Sequence, residues 1–397
     1  MAHGLSFSMG GVPTLFLFLT RPLLNKFTAL HTILRLFPTL LIVLSLHAPL
    51  AVADCECGYL STVNGTSNSH HALFTDLLET DFTRHLTPAS LAQDPDWARQ
   101  AFNLTRERAR GEYGEMFAVE NVVVGSQREG QGGGGQHHGQ EGNRQEGVQL
   151  LVRSGIVDGM VPVAELDTRR LDLFWGTFRA SMRIARVAGT CAAFFWYFND
   201  TQEIDMEFLT KDFNAANDSY PVNLVLQSRE AAMAGYDAAK TGNFVKVNLP
   251  FDPAGDFHEY RIDYLPGQVF FYADGVVLAE MDGPAVPSSP GHLILQHWSN
   301  GNRYWSGGPP VEDAALTVRY VKAYFNSSLV QRQEDWKARC RDPAVPNAVC
   351  RIPDVTPGDS SAAEWFFTDR GNMTNNQTTS EQSKSSRMEG TWRSYAV

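Results

Sequence analysis

The sequence predicts an all-β protein, a β-sandwich or jelly roll, on three observations. From Leu171 onward, short alternating runs follow one another with few helical stretches between them. Turn signals separate these runs: Ala188-Gly189, Asn199-Asp200, Pro266-Gly267, Asp274-Gly275 and Pro290-Gly291. The 397 residues include 33 Gly and 20 Pro, and 43% are hydrophobic, enough for one large core.

The expected strands are, in order, 118–124, 148–152, 174–185, 191–198, 203–209, 222–228, 244–249, 258–264, 269–273, 276–279, 292–298 and 316–325. Asp274-Gly275 between two of them is a hairpin signal. Upstream, residues 54–115 read as irregular, with one or two helical turns in 91–110 and Trp97 and Phe102 as packing anchors. Residues 126–147, with Gly132 to Gly135 and His137-His138, have the composition of a disordered insertion. A mobile Gly/Gln loop makes a poor metal site. A short helix is expected over 329–339, and a polar, disordered tail over 356–397. The folded domain is therefore expected over 54–355.

Residues 1–53 read as a signal peptide or, left uncleaved, a signal anchor. Arg35 precedes an apolar run, and Ala51-Val52-Ala53 is a small-x-small cleavage site. Pro38 and Pro49 bracket a run too short to span a membrane comfortably, so secretion is the leading expectation. The net charge is −11, and the N-terminal stretch carries only basic charges. That excludes nucleic acid and anionic membrane as expected partners and suits a neutral or cationic polymer. Oligomeric state is left open.

All five cysteines follow the cleavage site, as an oxidising compartment would allow. Cys340 and Cys350 are expected to close a small loop, and Cys191 to pair with Cys55 or Cys57. Sequons at Asn64, Asn103, Asn217 and Asn326, with others at Asn199, Asn372 and Asn376, are expected to mark glycosylated surface loops.

The chemistry centres on Glu203-Ile204-Asp205-Met206-Glu207-Phe208, an acid–apolar alternation of period two. A strand sends the three acids to one face and the apolar residues to the core. Like charges on one face disfavour folding, so the row is either a solvated face or a functional one. Calcium sites favour loops with backbone carbonyls. Glycoside hydrolysis needs two carboxyl groups flanking the scissile bond, which Glu203 and Glu207 would supply. Their Cα atoms would lie about 13 Å apart at ~3.3 Å per residue, so spacing leaves retention or inversion open. Asp205 between them would raise a neighbour's pKa and split the acid and base roles.

The same parity predicts a cleft over the acids. If the leucines of 222–227 and 293–298 face the core, then Asn223, Gln227, Gln296 and Trp298 face the cleft. Trp305 follows in a Gly/Asn/Pro-dense loop, and Trp196 lies just before the acidic strand. These are candidate sugar-stacking residues. Trp175 reads as core, and His258 and His297 as structural.

These residues resemble a known family. Glu203-Ile204-Asp205-Met206-Glu207 resembles the E-[IL]-D-x-E signature of glycoside hydrolase family 16. Trp175-Gly176-Thr177-Phe178-Arg179-Ala180, the strand from Gly189 to Phe195, Phe257-His258-Glu259-Tyr260 with Asp274-Gly275, and Trp305-Ser306-Gly307-Gly308 resemble its other motifs in order. Asp54-Cys55-Glu56-Cys57-Gly58-Tyr59 is similar to the mature start of secreted fungal members. Cys191 departs from the Trp of many bacterial members. The resemblance implies a concanavalin A-like fold of two curved antiparallel sheets. It implies a retaining endo-β-glucanase acting on β-1,3- or β-1,3/1,4-glucan. Glu203 would be the nucleophile, Glu207 the acid/base, and Asp205 the residue that orients and tunes them. No cofactor is implied, and a structural calcium is left open. The expected place is extracellular, with association to the cell wall. A cell-wall transglycosylase with the same residues is one alternative, and a non-catalytic lectin on the same fold is the other.

Overall fold

Strand alternation builds two facing sheets whose inner faces form one core. The structure, a computed structural model, describes residues 54–369 apart from 66–68, 85–86 and 126–145, together with Met373 and Gln377. The expected signal segment 1–53 lies outside the described residues. So do nearly all of the expected insertion and most of the expected tail.

The first sheet runs, in spatial order, Val276–Asp282, Gln268–Ala273, His258–Leu265, Leu173–Arg183, Ala314–Ser327, Gly147–Val152 and Val122–Gly125. Asp76–Asp81 adds to Ala314–Ser327. The second runs Phe244–Asn248, Pro221–Ser228, Gln202–Leu209, Cys191–Asn199, His292–Trp298, Met160–Thr168, Gly114–Phe117 and Phe102–Leu104. Trp97–Arg99 pairs with Met160–Thr168. All pairings in both are antiparallel except that of Gly114–Phe117 with Met160–Thr168. This is the jelly-roll β-sandwich expected from the sequence.

The core forms where apolar positions of period two meet between the sheets. Phe178, Ala180 and Met182 of the first sheet pack in one cluster with Phe194, Trp196, Ile204, Met206, Phe208, Leu224 and Leu295 of the second. Truncating one such residue to Ala costs about 2–5 kcal/mol by lost burial and cavity formation. The Asp274-Gly275 hairpin forms as expected. Ala273 pairs with Val276, and both turn residues have positive φ, which a two-residue type I′ loop requires.

The described residues of 54–115 form strands and the short helices Pro88–Ala92 and Arg106–Ala109 as well as loops. Gly58–Asn64 pairs antiparallel with Ser69–Phe74 and parallel with Val349–Arg351, making a third sheet. This sheet lies over the outer face of the first. Arg261 Nη2 donates to Ser61 Oγ at 3.0 Å and to Thr62 O at 2.7 Å. Arg179 Nη1 donates to Pro353 O at 2.8 Å, and Asp354 binds both guanidinium groups. Buried arginines need such full pairing. Trp97 is a buried anchor as expected, but it lies on a strand; Phe102 is partly exposed and stacks on Phe117.

Two expectations are corrected here. The cysteines pair Cys55–Cys350 and Cys57–Cys340, and Cys191 is free and buried. The reason is the parallel pairing that sets Tyr59 opposite Cys350, bringing Cys55 and Cys57 beside the segment that holds Cys340 and Cys350. Cys191 lies in the second sheet, away from that junction. The folded part also extends past 355. Residues 361–364 and 367–369 form 3-10 turns, and Phe367 is 1% exposed against Tyr59 and Tyr324. The expected helix is present over Val330–Arg339.

Candidate active site

The outer face of the second sheet carries the acids. Strand parity sends Ile204, Met206 and Phe208 into the core, so Glu203, Asp205 and Glu207 face outward. Register then aligns this face in rows. Glu203 lies between Tyr197 and Gln227. Asp205 lies between Phe195 and Val225, with Ile294 and Asp167 beyond Phe195. Glu207 lies between Ala193 and Asn223, with Gln296 and Glu165 beyond Ala193.

The three acids have distinct hydrogen-bond environments. Burial raises Asp205 well above the usual carboxylate range, and Glu203 adds to the shift through its charge and a shared hydrogen bond. Burial also raises Glu203, while the bond from Asp205 lowers it. Asp205 and Glu203 thus share one hydrogen bond, and burial raises both, Glu203 to about 7. Burial raises Glu207 too. Trp305 Nε1 donates to its Oε1 at 3.2 Å, and the Cys191 thiol reaches the same oxygen at 3.5 Å. Both contacts fix the Glu207 carboxyl and leave its other oxygen uncommitted. Next to Glu207, burial keeps the Cys191 thiol protonated. Two carboxyls on one strand face with a third acid hydrogen-bonded between them is an arrangement that can serve nucleophilic and acid–base chemistry.

The other expected site residues divide. Asn223, Gln227, Gln296 and Trp298 share the acid face, as parity predicts. Asn223 is 2% exposed with its amide nitrogen unpaired, and the Gln227 carbonyl oxygen is likewise buried without a protein partner. Unpaired buried polar atoms facing a cleft are suited to sugar hydroxyls. Gln296 is engaged instead, its amide donating to Glu165. Trp298 packs against Phe117 and Val163. Trp305 sits beside Phe244, ring centroids 6.1 Å apart. Trp196 is corrected: it is 0% exposed in the core, and its indole donates to Leu173 O at 3.1 Å. It alternates with Phe195 and so faces the opposite side from the acids. His297 is structural, held between Leu150 O and Thr190 Oγ1. Trp175 is only partly buried but packs on the core.

Other residues on this face were not foreseen. Glu165 and Asp167 extend the acid rows. Burial raises both, Glu165 to about 7. Glu115 on the next strand is raised to about 8, chiefly by burial, and accepts from Asn300 Nδ2 at 3.1 Å. The signal was present: Ala164-Glu165-Leu166-Asp167 repeats the acid–apolar alternation of 203–208. Arg110 lies close enough to lower Glu203, Glu207 and Glu115 by its charge. Among the described residues, no group of three or more His, Cys, Asp or Glu side chains is arranged to hold a metal ion. Of the glycosylation candidates, Asn64, Asn103 and Asn217 are exposed, whereas Asn326 is partly buried and accepts from Thr75.

The family model for glycosyl hydrolases family 16 matches residues 137–321. The chain is 30% identical over 159 residues to a beta-glucanase of Bacillus licheniformis, covering 37% of this chain and 58% of that protein. It is 28% identical over 213 residues to the probable xyloglucan endotransglucosylase/hydrolase protein 27 of Arabidopsis thaliana, covering 48% of this chain and 58% of that one. The chain thus spans less than two thirds of the length of either relative. A solved endo-beta-1,3-glucanase from Pyrococcus furiosus aligns over 67% of this chain and 99% of its own, with 15% identity and a TM-score of 0.47. The matched residues 137–321 hold the acidic strand and the strands on either side of it, so it is this part of the chain that is similar to glycosyl hydrolases family 16.

Proposed function

We propose that this protein is a secreted, retaining endo-β-glucanase that cuts β-1,3 or β-1,3/1,4 linkages by double displacement. One observation carries the reading: on one sheet face, Asp205 bonds Glu203 while Trp305 and Cys191 hold Glu207. Glu203 attacks the anomeric carbon as Glu207 gives its proton to the leaving oxygen, breaking the glycosidic bond. Glu207, now ionised, takes a proton from the incoming water, which releases the sugar from Glu203. Asp205 stays neutral and holds Glu203 in line. Asn223 and Gln227 offer unpaired polar atoms to the sugars, and Trp305, Trp298 and Phe244 offer apolar faces. No cofactor enters these steps.

Two disulfides and three exposed sequons support an extracellular, glycosylated protein acting at a cell wall. A second reading is favoured by the Arabidopsis relative, whose name joins endotransglucosylase to hydrolase. The same acids would then pass the sugar to a second glucan chain in place of water.

Product analysis on laminarin, lichenan and chitin oligosaccharides tests both. The parent should give shorter glucan products, and Glu203→Gln should give none while still binding. Products longer than the substrate would favour transfer. No product from any glucan, with binding intact, would leave a lectin.

A further inference from the structure

Two side chains from opposite edges of the catalytic sheet meet over the acids. Arg110 precedes Gly114–Phe117 near one edge, and Tyr236 lies in the excursion before Phe244–Asn248 at the other. Four strands separate Pro221–Ser228 from Gly114–Phe117. At ~4.8 Å per strand, those two strands lie about 24 Å apart across the sheet. Yet the Arg110 guanidinium carbon lies 4.4 Å from the centre of the Tyr236 ring. The two loops must therefore reach toward each other across the outer face. The charge of Arg110 acts on Glu203, Glu207 and Glu115 alike, which places it within electrostatic reach of the acid face.

Both residues are held in place. Arg110 and Tyr236 have φ of 57° and 62°, a region few non-glycine residues occupy. Arg110 O accepts from Asn302 Nδ2 at 3.2 Å, and Tyr113 N donates to Asn300 O at 2.9 Å. Gly111 permits that docking, since a Cβ there would lie 2.3 Å from Asn300 O. Tyr236 N donates to Ala231 O at 2.8 Å, closing its own turn.

We infer that Arg110 and Tyr236 form a strap across the cleft that sets the chain-length preference of the enzyme. Short oligosaccharides and chain ends slide beneath it, whereas the interior of a long chain reaches the acids only when it parts. An exposed cation–π contact is weak enough for a bound polymer to separate. The inference rests on the glucan-cutting reading.

The test compares kcat/KM on a long glucan and on a tetrasaccharide of the same linkage. Tyr236→Ala should raise the polymer-to-tetrasaccharide ratio about two- to fivefold, the factor such a contact supplies. Tyr236→Phe, which keeps the ring, should retain the parent ratio. A ratio unchanged or lowered in Tyr236→Ala overturns the strap. A substrate-free measurement separates this from failure of the hydrolase reading. Amide hydrogen exchange over residues 229–243 should quicken in Arg110→Ala, and equal exchange overturns the strap even if the parent cuts no glucan.

Discussion

Replacing Trp305 by Phe removes one hydrogen bond from Glu207 and keeps most of the ring beside Phe244. The indole N–H donates at 3.2 Å to Glu207 Oε1. It favours the ionised carboxyl, so its loss must raise the Glu207 pKa. A hydrogen bond to a charged group nets about 1.5–3 kcal/mol. At about 1.4 kcal/mol per pKa unit, that is about one to two units, and the long contact favours the lower end. In the proposed mechanism Glu207 acts protonated in the first step, so the alkaline limb of kcat/KM against pH is assigned to it in the free enzyme. That limb should move up by about one unit in Trp305→Phe. Cys191→Ser puts a stronger donor near the same oxygen and should move it down. The assay is kcat/KM for a soluble glucan from pH 4 to 9. An alkaline limb that stays put, or falls in Trp305→Phe, would refute the assignment of these donors and of the acid role.

Two further predictions concern stability. Burial raises Glu115 to about 8, so the folded state binds its proton more tightly than the unfolded state. This contribution is fully present below about pH 4.5 and is lost as pH rises through about 8, and Glu165 acts in the same direction. Glu115→Gln keeps an acceptor for Asn300 and should flatten the fall in unfolding free energy between pH 5 and 8 by up to about 4 kcal/mol, read by urea titration. An equal slope in both proteins would show that Glu115 does not hold the proton. Opening Cys57–Cys340, which closes 283 residues of sequence, with the double Ser variant should cost about 2–5 kcal/mol. A variant as stable as the parent would mean that Cys55–Cys350 and the parallel pairing of Gly58–Asn64 with Val349–Arg351 secure this junction without it.

The acidic strand and its neighbours were legible because period two is a local signal. Parity placed Asn223, Gln227, Gln296 and Trp298 on the acid face without knowledge of the fold. The same rule correctly applied would have sent Trp196 inward, since it alternates with Phe195 and pairs with Ile204. Met160–Thr168 was missed because Pro162 interrupts its pattern, although the strand uses that position to pair with Met116. Residues 54–115 gave short runs, some of whose partners lie at the far end of the folded part, as the Cys55–Cys350 separation of 295 residues shows, and local pattern cannot show such pairing. The cysteine pairing failed for the same reason. Closeness in sequence suggested Cys340–Cys350, but the sheet brings Gly58–Asn64 beside Val349–Arg351. Arg110 carried no signal, because its role depends on two loops meeting.

The assignment of Glu203 as the nucleophile is tested most directly by trapping it. Incubation with an activated 2-deoxy-2-fluoro-glucoside of β-1,3-linked glucose slows release of the glycosyl-enzyme, and peptide mass spectrometry then locates the label. The account predicts one label, on Glu203, formed in the parent and absent in Glu203→Gln. A label on Glu207 or Asp205, or turnover that inverts the anomeric centre with no label, would contradict it.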